Sequence, residues 1–142
     1  METSQTESRW TMAQIGSYGD IVFQVSDKSV LTPSKLRQKV SGQWGKHKPI
    51  MKKPRPEFGG ADARGITFTI ILDATLGVRP RKVLERIEEM IEEGFVDYMV
   101  IGNKTMGNNR FAITAMTEEW DVVYNRGELA KATLDITLEE YT

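Results

Sequence analysis

GITFTIILDATLGVRPRKVLERIEEMIEEG, residues 65–94, changes its hydrophobic period half-way along. In the first nine residues Ile66, Phe68, Ile70 and Leu72 point one way while Thr67 and Thr69 point the other, the period-two pattern of a strand buried on one face. The β-branched content favours the same state. After Gly77 the spacing becomes helical: Val83, Leu84, Ile87, Met90 and Ile91 fall on one face at i, i+1, i+4, i+7 and i+8. Pro80 suits a first helical turn and Gly94 a C-terminal stop. Burying the stripe is worth roughly 1.5–3 kcal/mol per large side chain before the cost of ordering the helix. The block therefore predicts a central strand followed by a helix packed on a core.

The flanks supply more strands. Upstream, Ile21, Phe23 and Val25 alternate in DIVFQVS (20–26), and Gly16-Ser17-Tyr18-Gly19 before it reads as a turn. Downstream, Tyr98–Ile101 predicts a short strand and Gly102–Asn109 a loop. Phe111, Ile113 and Ala115 begin another strand that runs through EEWDVVY to a turn at Asn125-Arg126-Gly127. The return strand carries Ala130, Ala132, Leu134, Ile136 and Leu138 on one face, opposite Lys131, Thr133, Asp135, Thr137 and Glu139. Together these elements predict an α+β, mainly antiparallel fold with one amphipathic helix. At 142 residues the chain has the size of one domain, read as 12–142 after a flexible leader at 1–11. The N-terminus has no apolar signal region, no apolar run is long enough for a membrane span, and there is no cysteine.

Charge is unevenly spread. Residues 28–56 carry +9 and no acid, residues 85–142 carry −8, and the whole chain carries −1. The basic stretch also holds Pro33, Pro49, Pro54 and Pro56, which remove ladder donors and favour extended backbone. An extended basic arm or long hairpin over 28–58, edge-like throughout, is the reading, with Thr32-Pro33-Ser34 able to cap a single helical turn.

Catalytic chemistry finds little support. His47 is the sole histidine and lies between Lys46 and Lys48, so neither a ligand pair nor a charge relay can be built from histidines. No phosphate-binding, nucleophile-elbow or calcium-loop motif occurs. Glu85, Glu88, Glu89, Glu92 and Glu93 spread over the helix face opposite the apolar stripe, a solvated or protein-contacting face. Glu92 and Glu93 also oppose the helix dipole at its C-terminus. Trp120, among Glu118, Glu119 and Asp121, is expected on a sheet face. Trp44, set among Lys and Gly, suits an interface anchor better than a base-stacking platform, which usually comes with several interleaved aromatics. No cofactor, metal or small-molecule site is expected.

Four blocks in order, Met12–Ser26, VLTPSKL (30–36), Gly65–Glu85 and the W-D…N-R-G-x-L…D-I-T-L-x-E-Y run from Trp120 to Tyr141, resemble the phage tail protein U (GpU) family of contractile-tailed temperate phages. The resemblance covers nearly all of the chain after residue 11. It implies a non-enzymatic structural protein of the virion tail or a tail-like particle, assembled in the host bacterial cytoplasm. A looser similarity to tail-tube proteins implies a sandwich or barrel in stacked rings, commonly six-fold. The neighbours implied are tube, hub or sheath proteins, at their junction or, as the rival, at the head-proximal end as a tail-completion protein.

In a head-to-tail ring one surface meets a different surface on the next copy. The expected basic partner comprises Lys35, Arg37, Lys39, Lys46, Lys48, Lys52, Lys53 and Arg55, with Trp44, Ile50, Met51 and Phe58 supplying burial. The expected acidic partner comprises Glu85, Glu88, Glu89, Glu92, Glu118, Glu119 and Asp121. The competing readings are a nucleic-acid-binding module using the arm, a site shared between subunits in an enzyme, and a monomer whose arm folds onto its own helix.

Overall fold

The computed structural model describes residues 14–25, 30–47 and 53–142. The leader and the arm residues Lys48, Ile50, Met51 and Lys52 lie outside the described residues. The strands are β1 (Gln14–Tyr18), β2 (Ile21–Val25), β3 (Val30–Leu31), β4 (Pro33–Lys39), β5 (Gly42–His47), β6 (Arg55–Ala61) and β7 (Gly65–Asp73). A 3-10 turn (Ala74–Leu76) and helix α1 (Pro80–Glu93) come next, then β8 (Val96–Asp97), β9 (Met99–Ile101), β10 (Lys104–Thr105), β11 (Arg110–Val123) and β12 (Leu129–Tyr141). The main sheet has the order β4-β7-β12-β11-β8, a second sheet the order β10-β9-β1-β2-β3, and β5 and β6 form a separate hairpin. Every pairing is antiparallel. The α+β expectation is met.

One face of the main sheet makes the core. Ile66, Phe68, Ile70 and Leu72 of β7 are buried, as are Ala130, Ala132, Leu134, Ile136 and Leu138 of β12. Helix α1 covers part of this face with Leu84, Ile87 and Met90, while Val83 and Ile91 pack at its margin. The second sheet covers the rest, with Phe23 edge-on to Phe68 at 5.7 Å between ring centroids. The helix ends as its sequence requires: Gly94 has φ +70 and its N–H is directed to the carbonyls of Ile91 and Met90.

Several local expectations need correction. Gly16–Tyr18 is strand, and the turn is Gly19-Asp20. Gly16 is required by close approach, since a Cβ there would lie 1.9 Å from the Val100 carbonyl oxygen. Pro33 opens strand β4 where a helical turn was allowed; first place on a sheet-edge strand tolerates the missing donor. Ala115 is exposed although Phe111 and Ile113 are buried, because the ladder shifts between Ile113 and Ala115 and the bulge reverses the facing of the residues after it. The 102–109 loop contains β10, which pairs with β9.

The basic arm divides in two. β4 is built into the main sheet along β7, with an irregularity between Ser34 and Arg37 where Lys35 takes φ +54. The β5–β6 hairpin then leaves that edge, and its strands pack chiefly on each other. Ser41 and Asp62 close its base: Asp62 N–H donates to the Ser41 carbonyl at 2.9 Å and Ser41 Oγ donates to Asp62 Oδ2 at 2.9 Å. Glu140 fixes the exit, its Oε1 accepting from Arg64 N–H at 3.0 Å and its Oε2 from Asn109 Nδ2 at 2.8 Å. Those donors hold its carboxyl below the usual glutamate range.

Candidate functional site

The hairpin exposes what a folded chain usually hides. Trp44 and Phe58 are cross-strand partners with ring centroids 5.0 Å apart, yet they remain 64% and 60% exposed. Gly42 makes room for the pair, since a Cβ there would stand 3.0 Å from the Phe58 ring. Lys46, Lys53 and Arg55 on the hairpin and Lys35, Arg37 and Lys39 on β4 are all exposed. An apolar pair on a projecting, positively charged hairpin is suited to burial against another surface. Glu57, opposite Gly45, is the one acid in either hairpin strand.

The acids lie toward the other side of the main sheet, because β11 is separated from β4 by β7 and β12. At ordinary strand spacing that is roughly 14 Å between backbones. Among the described residues the ion pairs are Arg81–Glu85 at 3.1 Å, Arg86–Asp20 at 3.0 Å and Arg86–Glu89, so Glu85 and Glu89 already have partners within the chain. None of these pairs joins the hairpin to the helix.

The acids also fail to form one patch. Glu118 stands opposite Leu134 in the ladder, on the face that α1 covers, whereas Glu119 stands opposite Thr133 on the polar face. Asp121 belongs with Glu119, accepting a hydrogen bond from Thr133 Oγ1 at 2.7 Å. On the helix side Glu88 meets Glu118. The hydrogen bond between the two carboxyls, followed by burial and the negative charges of Glu118, Glu92 and Glu85, pushes the Glu88 carboxyl up to about 7. Trp120 Nε1 donates to Glu118 Oε1 at 3.2 Å, and the Arg81 guanidinium lies 5.0 Å from the Trp120 ring centroid. Trp120 thus sits on a sheet face as expected, held by a cation from α1 that the sequence reading passed over.

That reading also passed over Val40, 61% exposed at the foot of the hairpin, and Val122, Val123 and Tyr124 at the β11 end. Two successive apolar residues beside the Asn125-Arg126-Gly127 turn were the available signal, since alternation cannot bury both. Among the described residues no group of three or more His, Cys, Asp or Glu is placed to hold a metal ion, and no helix is long and apolar enough to cross a membrane.

The model of the phage P2 GpU family matches residues 19–142, which takes in the hairpin, the whole main sheet and α1. The chain belongs to that family. As a GpU protein it is a structural protein of the phage tail, located in the virion tail, where it meets other tail proteins. Among solved structures, the GpU chain is similar to a chain of the virion of a native gene transfer agent (GTA) particle, at 13% identity and a TM-score of 0.47, over 92% of this chain and 97% of that one. No curated protein sequence matches it significantly.

Proposed function

We propose that this GpU protein joins head-to-tail with further copies of itself into a closed ring, commonly six-fold in such assemblies, at the junction of hub, tube and sheath. The observation that carries the reading is the exposed Trp44–Phe58 pair on a basic hairpin that leaves one edge of the main sheet while the acids of β11 and α1 lie toward the other. Two different, complementary surfaces on opposite sides of one chain are what a heterologous interface needs. Exposed ion pairs contribute only about 0–1 kcal/mol each, so charge sets register and speeds encounter while the aromatic pair supplies burial. The role is structural and includes no catalytic step.

Sedimentation or native mass spectrometry of the purified protein at about 50 mM and about 500 mM salt tests this, since screening weakens exposed pairs. A closed ring that loosens at high salt is the expected result. A monomer at both concentrations overturns self-assembly, and a charge-matched ring is excluded if the mass is insensitive to salt.

A further inference from the structure

The main sheet has an unusual free edge. β11 runs for fourteen residues, but among the described residues it is paired on the side away from β12 only at Phe111 and Ala112, by β8. Beyond Ala112 no strand among the described residues uses its outward backbone donors and acceptors; it contains no proline and stays regular against β12 from Ala115 to Trp120, between shifts at Ile113/Ala115 and Trp120/Val122. An open edge of this kind is a template for strand pairing unless something opposes it. Its charges are Glu118, Glu119 and Asp121, so a second β11 placed alongside would set acid against acid. The edge therefore favours a partner strand of positive charge.

The chain carries such a strand. β4 begins with Pro33 and is distorted at Lys35, and β6 contains Pro56 and the acid Glu57. β5 spans Gly42–His47 without proline or acid, and among the described residues only β6 pairs with it, which leaves its other edge open. Its six residues match the six of the regular window in β11. Trp44 and Lys46 share one face and Gly45 the other. Laid on β11 with the first face toward α1, Lys46 comes among Glu88 and Glu118, Trp44 comes among Met116 and Trp120, and Gly45 joins the face of Ala115, Thr117 and Glu119.

We propose that β5 of one copy adds to the free edge of β11 in the next, so that a single sheet crosses the subunit boundary. This rests on the ring reading and specifies its joint as backbone pairing.

The natural chain has no cysteine, which makes cross-linking clean. A Cβ at Gly45 meets nothing within 4 Å, so Gly45→Cys is accommodated. Gly45→Cys is combined in one chain with Ala115→Cys, Thr117→Cys or Glu119→Cys in turn, and with Lys104→Cys on β10 as the control. The products of mild oxidation are resolved without reductant while the wild-type mass is measured in parallel. Adjacent strands bring Cα atoms within disulfide reach, so one β11 partner should give a ladder of covalently linked chains and the control none. If the wild type assembles but no β11 partner exceeds the control, strand addition is overturned and the ring stands. If the wild type remains monomeric, both fall together.

Discussion

Tyr18 Oη donates a 2.7 Å hydrogen bond to the carbonyl of Phe111, and this bond ties β1 of the second sheet to β11 of the main sheet. The hydroxyl is buried with the ring, which stands edge-on to Phe95 at 5.9 Å between centroids. Burial, aided by the nearby Asp97 charge, pushes its pKa up to about 12, so it stays a donor at every ordinary pH.

Tyr18→Phe keeps the ring and leaves the Phe111 carbonyl without that donor. A buried acceptor left unpaired costs about 1–3 kcal/mol. The expected result is a lower midpoint in chemical denaturation with an unchanged slope, because the same surface is exposed on unfolding. An unaltered midpoint would show that the bond contributes nothing net to joining the sheets.

Trp44→Ser and Phe58→Ser should separate stability from assembly. Both side chains are mostly exposed on a hairpin that packs chiefly on itself, so the fold should shift by no more than about 0.5 kcal/mol in either variant. Association should fall steeply, as it does when a central aromatic anchor is truncated. Thermal melts with sedimentation give both quantities on one sample. Assembly equal to wild type in both variants would remove the hairpin from the joint.

The parts legible in the sequence are those with one buried face. Ile66 to Leu72 and Ala130 to Leu138 alternate because a core lies on one side of them, and Leu84, Ile87 and Met90 recur at helical spacing for the same reason. β5 and β6 have no such asymmetry: both faces of the hairpin are exposed, so neither period marks them and only composition could hint at extended backbone. Gly16 looked like a turn because a glycine needed for close approach to Val100 leaves the same letter as one needed for a bend. The separation of Glu118 from Glu119 was implicit in strand periodicity, yet grouping acids by sequence proximity concealed it. The partners of Glu85 and Glu89 were also available from helical spacing, Arg81 four residues before the first and Arg86 three before the second.

Glu92→Lys and Glu119→Lys test which face of the main sheet receives the neighbour. Glu92 lies on the helix side and Glu119 on the polar side, and no ion pair among the described residues engages either. Reversal on the receiving face should slow association and flatten its salt dependence, since rim charges act chiefly on encounter. Reversal on the other face should leave both unchanged. Association rates followed by light scattering at two salt concentrations distinguish them, and equal insensitivity of the two variants would place the joint away from both acids.

Glu88 makes stability depend on pH in a direction opposite to that of most surface carboxylates. Its folded-state pKa is raised to about 7, chiefly through the hydrogen bond with Glu118. Between the ordinary glutamate value and about 7 the folded chain therefore binds this proton more tightly than the unfolded chain does. The contribution is fully present below that interval and is lost as pH rises through it, with no further change above. Glu88→Gln supplies a permanent donor to Glu118 and cannot ionise. The variant should lose this part of the decline and exceed wild type in stability on the alkaline side, as read by chemical denaturation at about pH 5 and about pH 8. Parallel profiles for the two proteins would mean that the carboxyls do not share a proton across the seam between α1 and β11.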